Sequence, residues 1–345
     1  MQSYFRPIAL VFGRDARSLV TSGRAGALGG LPHIAFTQVE VIERGLMPRV
    51  MSFADVADEA AVQAITAPRP DFGCLTMDSA NIMGIVNVTP DSFSDGGRLA
   101  NAAAAISHGK QLAHEGAEIL DVGGESTRPG SDTVSVEEEC QRIVSVISAL
   151  AADHIVSADT RKAQVMQAAL RAGARIINDV SALNYEPESK TVIAQANVPV
   201  ILMHAQGEPK TMQLNPRYDD VLLDVYDALE SSIAKAEAAG IKRSNICIDP
   251  GIGFGKTFKQ NLELMAGLSI FHGLGVPLLV GLSRKGFIGA VTGEKLAADR
   301  VHGSVGGALQ AAMQGIHILR VHDVKATVQA LKMFTASSDP DSADF

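Results

Sequence analysis

The stretch IMGIVNV at residues 82–88 is short, apolar and rich in β-branched residues, and the polar run TPDSFSDGG follows it at residues 89–97. A strand with apolar residues at successive positions is typical of a parallel sheet that is covered on both faces. Seven later segments have the same character, and longer segments with helical spacing lie between them. These seven are AEILDVGG (117–124), HIVSADT (154–160), ARIINDV (174–180), VPVILMH (198–204), NICIDPG (245–251), VPLLVGLS (276–283) and IHILRVHD (316–323).

Eight strand–helix units within about 255 residues match the size of a closed (β/α)₈ TIM barrel. We therefore predict an α/β fold with the barrel at residues 71–338 and a short C-terminal tail at 339–345. A doubly wound open sheet is the alternative. It usually has fewer strands, and no GxGxxG motif follows the first strand here.

Residues 1–70 follow a different pattern. The segment HIAFTQVEVIERG (33–45) alternates between apolar and polar residues, which predicts a strand. A helical patch, FADVADEAAVQAI (53–65), and a proline-containing break, APRPDFG (67–73), come next. We predict a small folded N-terminal extension, to which no motif assigns a role.

Composition excludes several classes of partner. The chain has 345 residues, 46% of them hydrophobic, and a net charge of −8, which argues against nucleic-acid binding. Its three cysteines form no CxxC motif and suit a reduced cytoplasmic protein better than a disulfide or zinc site. No apolar run approaches the roughly 18 residues that a membrane span needs.

The predicted strands all end in polar residues. In a barrel of this kind the active site lies at the carboxyl ends of the strands, so these side chains should converge. We therefore predict a ligand site there. The strand-end residues are Asn87, Asp121, Asp159, Asn178, Asp179, Met203, His204, Asp249, Ser283, Arg284, Lys285, Arg320, His322 and Asp323.

The charged members of this set divide into two groups. The cations predict a local positive region suited to phosphate oxygens, and they are Arg128, Arg284, Lys285, Arg320 and His322. Pairing of Arg320 with Asp323 at the surface is the alternative.

The acids and one amide form the second group, on strands opposite the cations. Asp159, Asp249 and Asn178 could bind a planar heterocycle that offers adjacent N–H donors. A two-metal carboxylate site is the competing interpretation. It would need histidines and carboxylates at ligand spacing, and the histidines here are isolated.

Eight motifs in order resemble those of the dihydropteroate synthases of folate biosynthesis, over about residues 72–335. They are NVTPDSFSDGG, GGESTRPG, DT, NDVS, LMH, DPGIGFGK, SRK and RVHDV. The resemblance implies a transferase that condenses 6-hydroxymethyl-7,8-dihydropterin diphosphate with 4-aminobenzoate to give 7,8-dihydropteroate and pyrophosphate. It also implies a homodimer and Mg²⁺ bound between Asn87 and the phosphates.

The resemblance further implies roles for individual residues. Pyrophosphate would be held by Asn87, Thr127, Arg128, Arg320 and His322. The pterin would be held by Asp159, Asn178, Met203, Asp249 and Lys285. 4-Aminobenzoate would contact Phe93, Pro129, Phe254 and Gly286. Catalysis would depend on Asp95, Asp159, Lys285 and Arg128.

Two local features bear on this assignment. Gly286 stands where many relatives have serine, so the backbone N–H remains without the hydroxyl. Pro90 and the Gly96–Gly97 pair would let the loop after the first strand close over the site with Phe93 and Asp95.

Two other functions remain open. A methyltetrahydrofolate–corrinoid methyltransferase would keep counterparts of Asp159 and Asn178 but would have no use for the anion-binding set. A non-catalytic pterin-binding relative would be expected to lack the first loop or the STRPG motif, and both are intact here.

Overall fold

The computed structural model describes residues 2–88, 97–126, 131–207 and 211–340, with side chains of the helix that begins at residue 97 described from residue 102 onward.

The N-terminal extension is a four-stranded antiparallel sheet with three short helices. Strand β3 is its centre and pairs with β1, β2 and β4. The predicted strand at 33–45 falls in β3, and the helical patch forms α2 and α3. The elements are β1 (Ser3–Phe12), α1 (Gly13–Thr21), β2 (Gly26–Leu28), β3 (Leu31–Glu43), β4 (Arg49–Ser52), α2 (Phe53–Val56) and α3 (Ala60–Thr66).

The extension has its own small core and is joined to the following domain by polar contacts. Phe36 is buried in that core against the edge of Phe53, with 5.4 Å between ring centroids. The guanidinium of Arg69 donates to the carbonyl oxygen of His272 at 2.8 Å. Tyr4 packs edge-on against Tyr226, again with 5.4 Å between centroids. The extension is therefore packed against the rest of the chain.

The remaining chain alternates strands and helices as the sequence predicts. The strands are β5 (Asn81–Asn87), β6 (Ile119–Gly123), β7 (Ile155–Asp159), β8 (Ile176–Asp179), β9 (Val200–Met203), β10 (Ile246–Asp249), β11 (Leu279–Gly281) and β12 (Ile318–Val321). The helices are α4 (Gly97–His114), α5 (Val136–Leu150), α6 (Ala163–Arg171), α7 (Glu188–Ala196), α8 (Val221–Ala238), α9 (Phe258–Ala266), α10 (Gly286–Thr292), α11 (Val301–Met313) and α12 (Val324–Ser338). Short 3-10 helices cover Arg243–Asn245, Leu268–Leu274 and Ala297–Arg300.

These eight strands form a parallel sheet in the order β10-β9-β8-β7-β6-β5-β12-β11. A parallel bridge between Ile248 and Leu278 joins the two outer strands and closes the ring. The TIM barrel prediction is confirmed, and the open-sheet alternative is wrong. Among the described residues, the helices are all too short or too polar to cross a membrane.

The amino end of the barrel is filled by apolar side chains. Phe72 and Met77, from the segment before β5, are buried there with Met83 and Ile318 from the strands. We call this layer the barrel floor. The side chains of a strand alternate in direction. The next inward residues toward the carboxyl end therefore lie two and four positions after the residue that each strand contributes to the floor. In several strands these are the polar residues that the sequence singles out.

Candidate active site

Four inward side chains from four strands form the centre of the site. The guanidinium of Arg320 donates from Nε to Oδ2 of Asp121 at 2.6 Å and from Nη2 to Oδ2 of Asp159 at 2.7 Å. Nδ2 of Asn178 also donates to Oδ2 of Asp121, at 3.1 Å. We call these four residues the central cluster. Two strands separate β7 from β12 in the ring, so Asp159 lies across the barrel from Arg320, as predicted, and the two inward side chains meet at the centre.

The central cluster places two acids around one cation. Burial raises the pKa of Asp159 to about 7. The positive charge of Arg320 opposes this shift, and repulsion from Asp121 adds to it. A buried carboxylate next to a second carboxylate is expected to take up a proton more readily than an exposed one. The cluster can therefore change its charge near neutral pH, and the titration belongs to the interacting groups together.

Asp249 and Lys285 approach from the other side of the mouth. Oδ1 of Asp249 accepts from the backbone N–H of Gly251 at 2.7 Å, which orients the carboxylate. The ammonium of Lys285 donates to the carbonyl oxygen of Ile252 and lies 4.5 Å from the ring centroid of Phe254. Burial lowers the pKa of Lys285 to about 8, although Asp249 opposes that shift.

The DPGIGFGK loop after β10 depends on two of its glycines. Gly251 and Gly255 have φ of +68° and +62°, in the left-handed region that favours glycine. A Cβ would lie 1.8 Å from the carbonyl oxygen of His204 at the first position and 2.3 Å from that of Gln206 at the second. The loop therefore packs directly on the backbone that follows β9.

Lys256 ties these two loops together. It is the last residue of the DPGIGFGK motif but is not among the predicted site residues. It is 1% exposed. Its ammonium donates to the carbonyl oxygens of Gly251 at 2.9 Å and Phe254 at 3.0 Å, and lies 2.9 Å from Nδ1 of His204. Burial lowers the pKa of Lys256 to about 7 and that of His204 to about 3, so the imidazole is neutral.

A second buried network supports the start of the GGESTRPG segment, and it too was missed. The ammonium of Lys162 donates to Glu125 at 3.0 Å and to Glu139 at 2.5 Å. Glu125 also accepts from Nε of Arg161 at 2.9 Å and from the backbone N–H of Val134 at 3.0 Å. We call these residues the loop clamp, because they join the chain on both sides of residues 127–130.

Arg284 forms its ion pair with a residue outside the central cluster. It has φ of 60°, an unfavourable conformation for a residue with a Cβ, and its side chain pairs with Asp323 at 3.0 and 2.5 Å. The alternative in which Arg320 pairs with Asp323 is therefore wrong. His322 follows the last residue of β12, and Nδ1 of its imidazole lies 3.1 Å from Oγ of Ser283.

The remaining predicted residues are placed as follows. Asn87 ends β5, Met203 ends β9 and is buried, and Gly286 is the first residue of α10. Five others lie outside the described residues: Phe93, Asp95, Thr127, Arg128 and Pro129.

A metal centre built from several protein side chains has no counterpart in the parts of the chain described. No group of three or more His, Cys, Asp or Glu residues among them could hold a metal ion. A single amide oxygen, such as that of Asn87, together with substrate oxygens would still suit Mg²⁺, which usually keeps few protein ligands.

Comparisons with known proteins agree with this geometry. A family model described as "Pterin binding enzyme" matches residues 83–322. Dihydropteroate synthase of Neisseria meningitidis serogroup B is 50% identical over 266 residues, covering 75% of this chain and 93% of that protein.

Solved structures give the same result. Dihydropteroate synthase of Xanthomonas albilineans with 4-aminobenzoic acid superposes with a TM-score of 0.74 at 49% identity, covering 81% of this chain and all of that one. The same organism's enzyme with 7,8-dihydropteroate gives 0.70 at 47% identity, covering 78% and 97%. The central cluster thus lies in a barrel of known type, and the chain belongs to the dihydropteroate synthase family of pterin binding enzymes.

Proposed function

We propose that this chain is a dihydropteroate synthase, which condenses 6-hydroxymethyl-7,8-dihydropterin diphosphate with 4-aminobenzoate and releases pyrophosphate. The observation that carries the proposal is the convergence of Asp159, Asn178, Asp249 and Lys285 on one barrel mouth, in a chain of this family. Two acids, an amide and an ammonium match a ring with several N–H donors and a carbonyl oxygen.

The pterin would lie across the mouth with its polar edge against these groups. Asp249 would accept from the 2-amino group and ring N–H, and Asp159 would face the N8 side. Lys285 would donate to the ring oxygen and N5. Met203, buried at the end of β9, would pack against the ring. The oriented carboxylate of Asp249 supports this arrangement, because its hydrogen bond from Gly251 leaves the other oxygen for the ligand.

The diphosphate would lie toward β5, β6 and β12. Asn87 and His322 occupy those strand ends, and Thr127 and Arg128 follow β6 in the sequence. Arg320 would contribute here as well, although in the ligand-free protein it pairs with Asp121 and Asp159. Mg²⁺ held by Asn87 and substrate oxygens would neutralise charge on the leaving pyrophosphate.

The bond to pyrophosphate would break while the amine of 4-aminobenzoate attacks the exocyclic methylene carbon. Positive charge then develops on the pterin ring, and an ionised Asp159, with Asp95, would stabilise it. Such a contact contributes to rate because it strengthens as the reaction proceeds. The aromatic amine is itself a usable nucleophile, so the residues orient it and need not provide a strong base. The proton that the nitrogen loses once its bond to the methylene carbon has formed would pass to water or to the released pyrophosphate.

4-Aminobenzoate would bind at the outer part of the mouth. Phe254 is half-buried beside Lys285 and would form one wall of its site, with Phe93 and Pro129. Gly286 would place its backbone N–H near the carboxylate.

The test is whether purified protein with Mg²⁺ releases pyrophosphate from the pterin diphosphate only when 4-aminobenzoate is present. Asp249→Asn should lower pterin affinity, whereas Lys259→Met, an exposed change on α9, should leave activity intact. Pterin binding without dihydropteroate formation would contradict the proposal and favour a non-catalytic pterin-binding protein. Methyl transfer from methyltetrahydrofolate to a corrinoid would favour the other alternative.

We also propose a cytoplasmic homodimer. All three cysteines are free thiols, which suits a reducing compartment. Helix α9 packs against α10, and together with the segment after α10 they expose four large apolar side chains: Phe258, Leu262, Val291 and Leu296. Exposed apolar surface of this kind is often an interface. Leu262→Glu should convert a dimer to a monomer in light scattering, and a wild-type monomer would contradict the proposal.

A further inference from the structure

Asp121 is the member of the central cluster to which the proposed mechanism assigns no role. It is fully buried in the middle of the inner barrel wall, with Ile85 of β5 and Ser157 of β7 as its neighbours in register. Its Oδ2 accepts from both Asn178 and Arg320. Its Oδ1 has no hydrogen-bond partner within the described part of the chain. Because its side chain is fully buried, Asp121 can act on a ligand through Asn178 and Arg320, which lie between it and the mouth of the barrel in the proposed arrangement.

The contact with Asn178 fixes the direction of a side chain that could otherwise point either way. An amide has a donor end and an acceptor end of almost the same shape. Oδ2 of Asp121 accepts from the guanidinium of Arg320, which can only donate, and the same oxygen accepts from Nδ2 of Asn178, so Asp121 holds the nitrogen of Asn178 toward itself. The carbonyl oxygen of Asn178 is then directed away from Asp121, toward the mouth where the ring edge would lie.

The contact with Arg320 fixes the plane of the guanidinium in the same way. The Nε–H bond to Asp121 and the Nη2–H bond to Asp159 lie on two sides of one rigid planar group. Because Oδ2 of Asp121 accepts both Arg320 and Asn178, the two side chains are held relative to each other. A change at Asp121 should therefore disturb both without removing either.

We propose that Asp121 is a positioning residue that makes the site select a ring with a 2-amino group over one with a 2-oxo group. One N–H of the amino group would donate to Asp249 and the other to the carbonyl oxygen that Asn178 presents, whereas an oxo group would place its oxygen against that carbonyl oxygen, acceptor against acceptor. This inference rests on the proposed function, because it assumes that the ring edge lies against Asn178.

The experiment measures dissociation constants by calorimetry for two ring probes, a 2-amino-4-oxo pterin and the matching 2,4-dioxo ring. Asp121→Ala leaves a space for water, which can donate or accept, so Asn178 is free to turn over. The preference for the 2-amino ring should fall about tenfold, the equivalent of one hydrogen bond of about 1.4 kcal/mol.

Asp121→Asn is the conservative variant. Its remaining oxygen can still accept from both partners, so it should retain the wild-type preference although the charge is lost. Ser157→Ala is the matched control, because Ser157 is the buried register neighbour of Asp121 and its hydroxyl has no hydrogen-bond partner among the described residues. It should also retain the preference.

A double-mutant cycle tests the route through Asn178. In an Asn178→Ala background, Asp121→Ala should change the preference no further. Should Asp121→Ala fail to fold, Asp121→Ser takes its place, because a hydroxyl both donates and accepts.

Three results would overturn the inference. The first is an unchanged preference in the folded Asp121→Ala or Asp121→Ser protein. The second is an equal loss in Asp121→Asn, and the third is an equal loss in Ser157→Ala. Wild-type protein that binds neither ring would instead overturn the proposed function, and the inference with it.

Discussion

Lys162 in the loop clamp lies between two buried carboxylates, so its removal should be costly. The side chains of Lys162, Glu125 and Glu139 are 4%, 5% and 0% exposed. Removing one partner of a buried ion pair typically costs about 3–5 kcal/mol, because the other charge is left in the interior. For a chain of this length, Lys162→Met should lower Tm by about 4–7 °C.

The fall in Tm caused by Lys162→Met should depend on pH. Although burial opposes the shift, hydrogen bonds from Arg161, the backbone of Val134 and Lys162 lower the pKa of Glu125 in the folded chain. A group with a lowered folded-state pKa contributes stability above its unfolded-state pKa and loses it as the pH falls through the folded-state pKa. The Tm difference between wild type and variant should therefore be larger at pH 8 than at pH 3.

Thermal unfolding followed by circular dichroism at several pH values measures this difference. Lys259→Met is the matched control, because Lys259 is 87% exposed and its pair with Glu263 spans 3.5 Å. An exposed pair contributes about 0–1 kcal/mol, so this control should change Tm little. Adding Glu139→Gln to Lys162→Met should restore part of the stability. Equal Tm values for the two lysine variants at pH 8 would refute the reasoning.

Three further predictions concern activity. The kcat/KM for the pterin diphosphate should fall as the pH drops below about 7, because the central cluster, in which the pKa of Asp159 is raised, then gains a proton. A profile that stays flat down to pH 5 would contradict this. Gly286→Ser should lower the KM for 4-aminobenzoate about two- to tenfold through one added hydrogen bond. The side chain has room, because a Cβ at this position would lie an ordinary 3.7 Å from Phe258. An unchanged KM would place the carboxylate elsewhere. Lys256→Met should raise the KM for both substrates, because it leaves the carbonyl oxygen of Gly251 without its donor. Wild-type kinetics would show that the loop holds its shape without the ammonium.

The fold followed from the sequence because its signals are local. Each barrel strand is a short apolar segment next to a helix, and the structure has all eight at the predicted positions. The rule that the active site of such a barrel lies at the carboxyl ends of its strands also predicts that Asp159, Asn178 and Arg320 lie at one site, as the structure shows. That rule depends only on parallel strands having their carboxyl ends at the same face of the barrel.

The parts of the site that could not be predicted from the sequence depend on contacts between residues far apart in the chain. Lys256 meets His204 across 52 positions, and Lys162 meets Glu125 across 37. Nothing near either lysine in the sequence shows that it is buried. A lysine next to a glycine-rich loop looks like a solvent-exposed residue, and only the path of the backbone shows that four acceptors surround the ammonium of Lys256. The pairing of Arg320 with Asp121, across 199 positions, could not be predicted for the same reason.

The barrel floor has a consequence for the order of events during turnover. Phe72 and Met77 close the amino end, so both substrates must enter, and both products must leave, through the carboxyl end. The residues proposed to hold the pterin lie nearer the floor than Phe254 and Gly286, which are proposed to hold the second substrate. A molecule already bound at the outer position would obstruct the inner one. We therefore expect sequential kinetics in which the pterin diphosphate binds first, and competitive inhibition by excess 4-aminobenzoate if that compound also binds the empty enzyme.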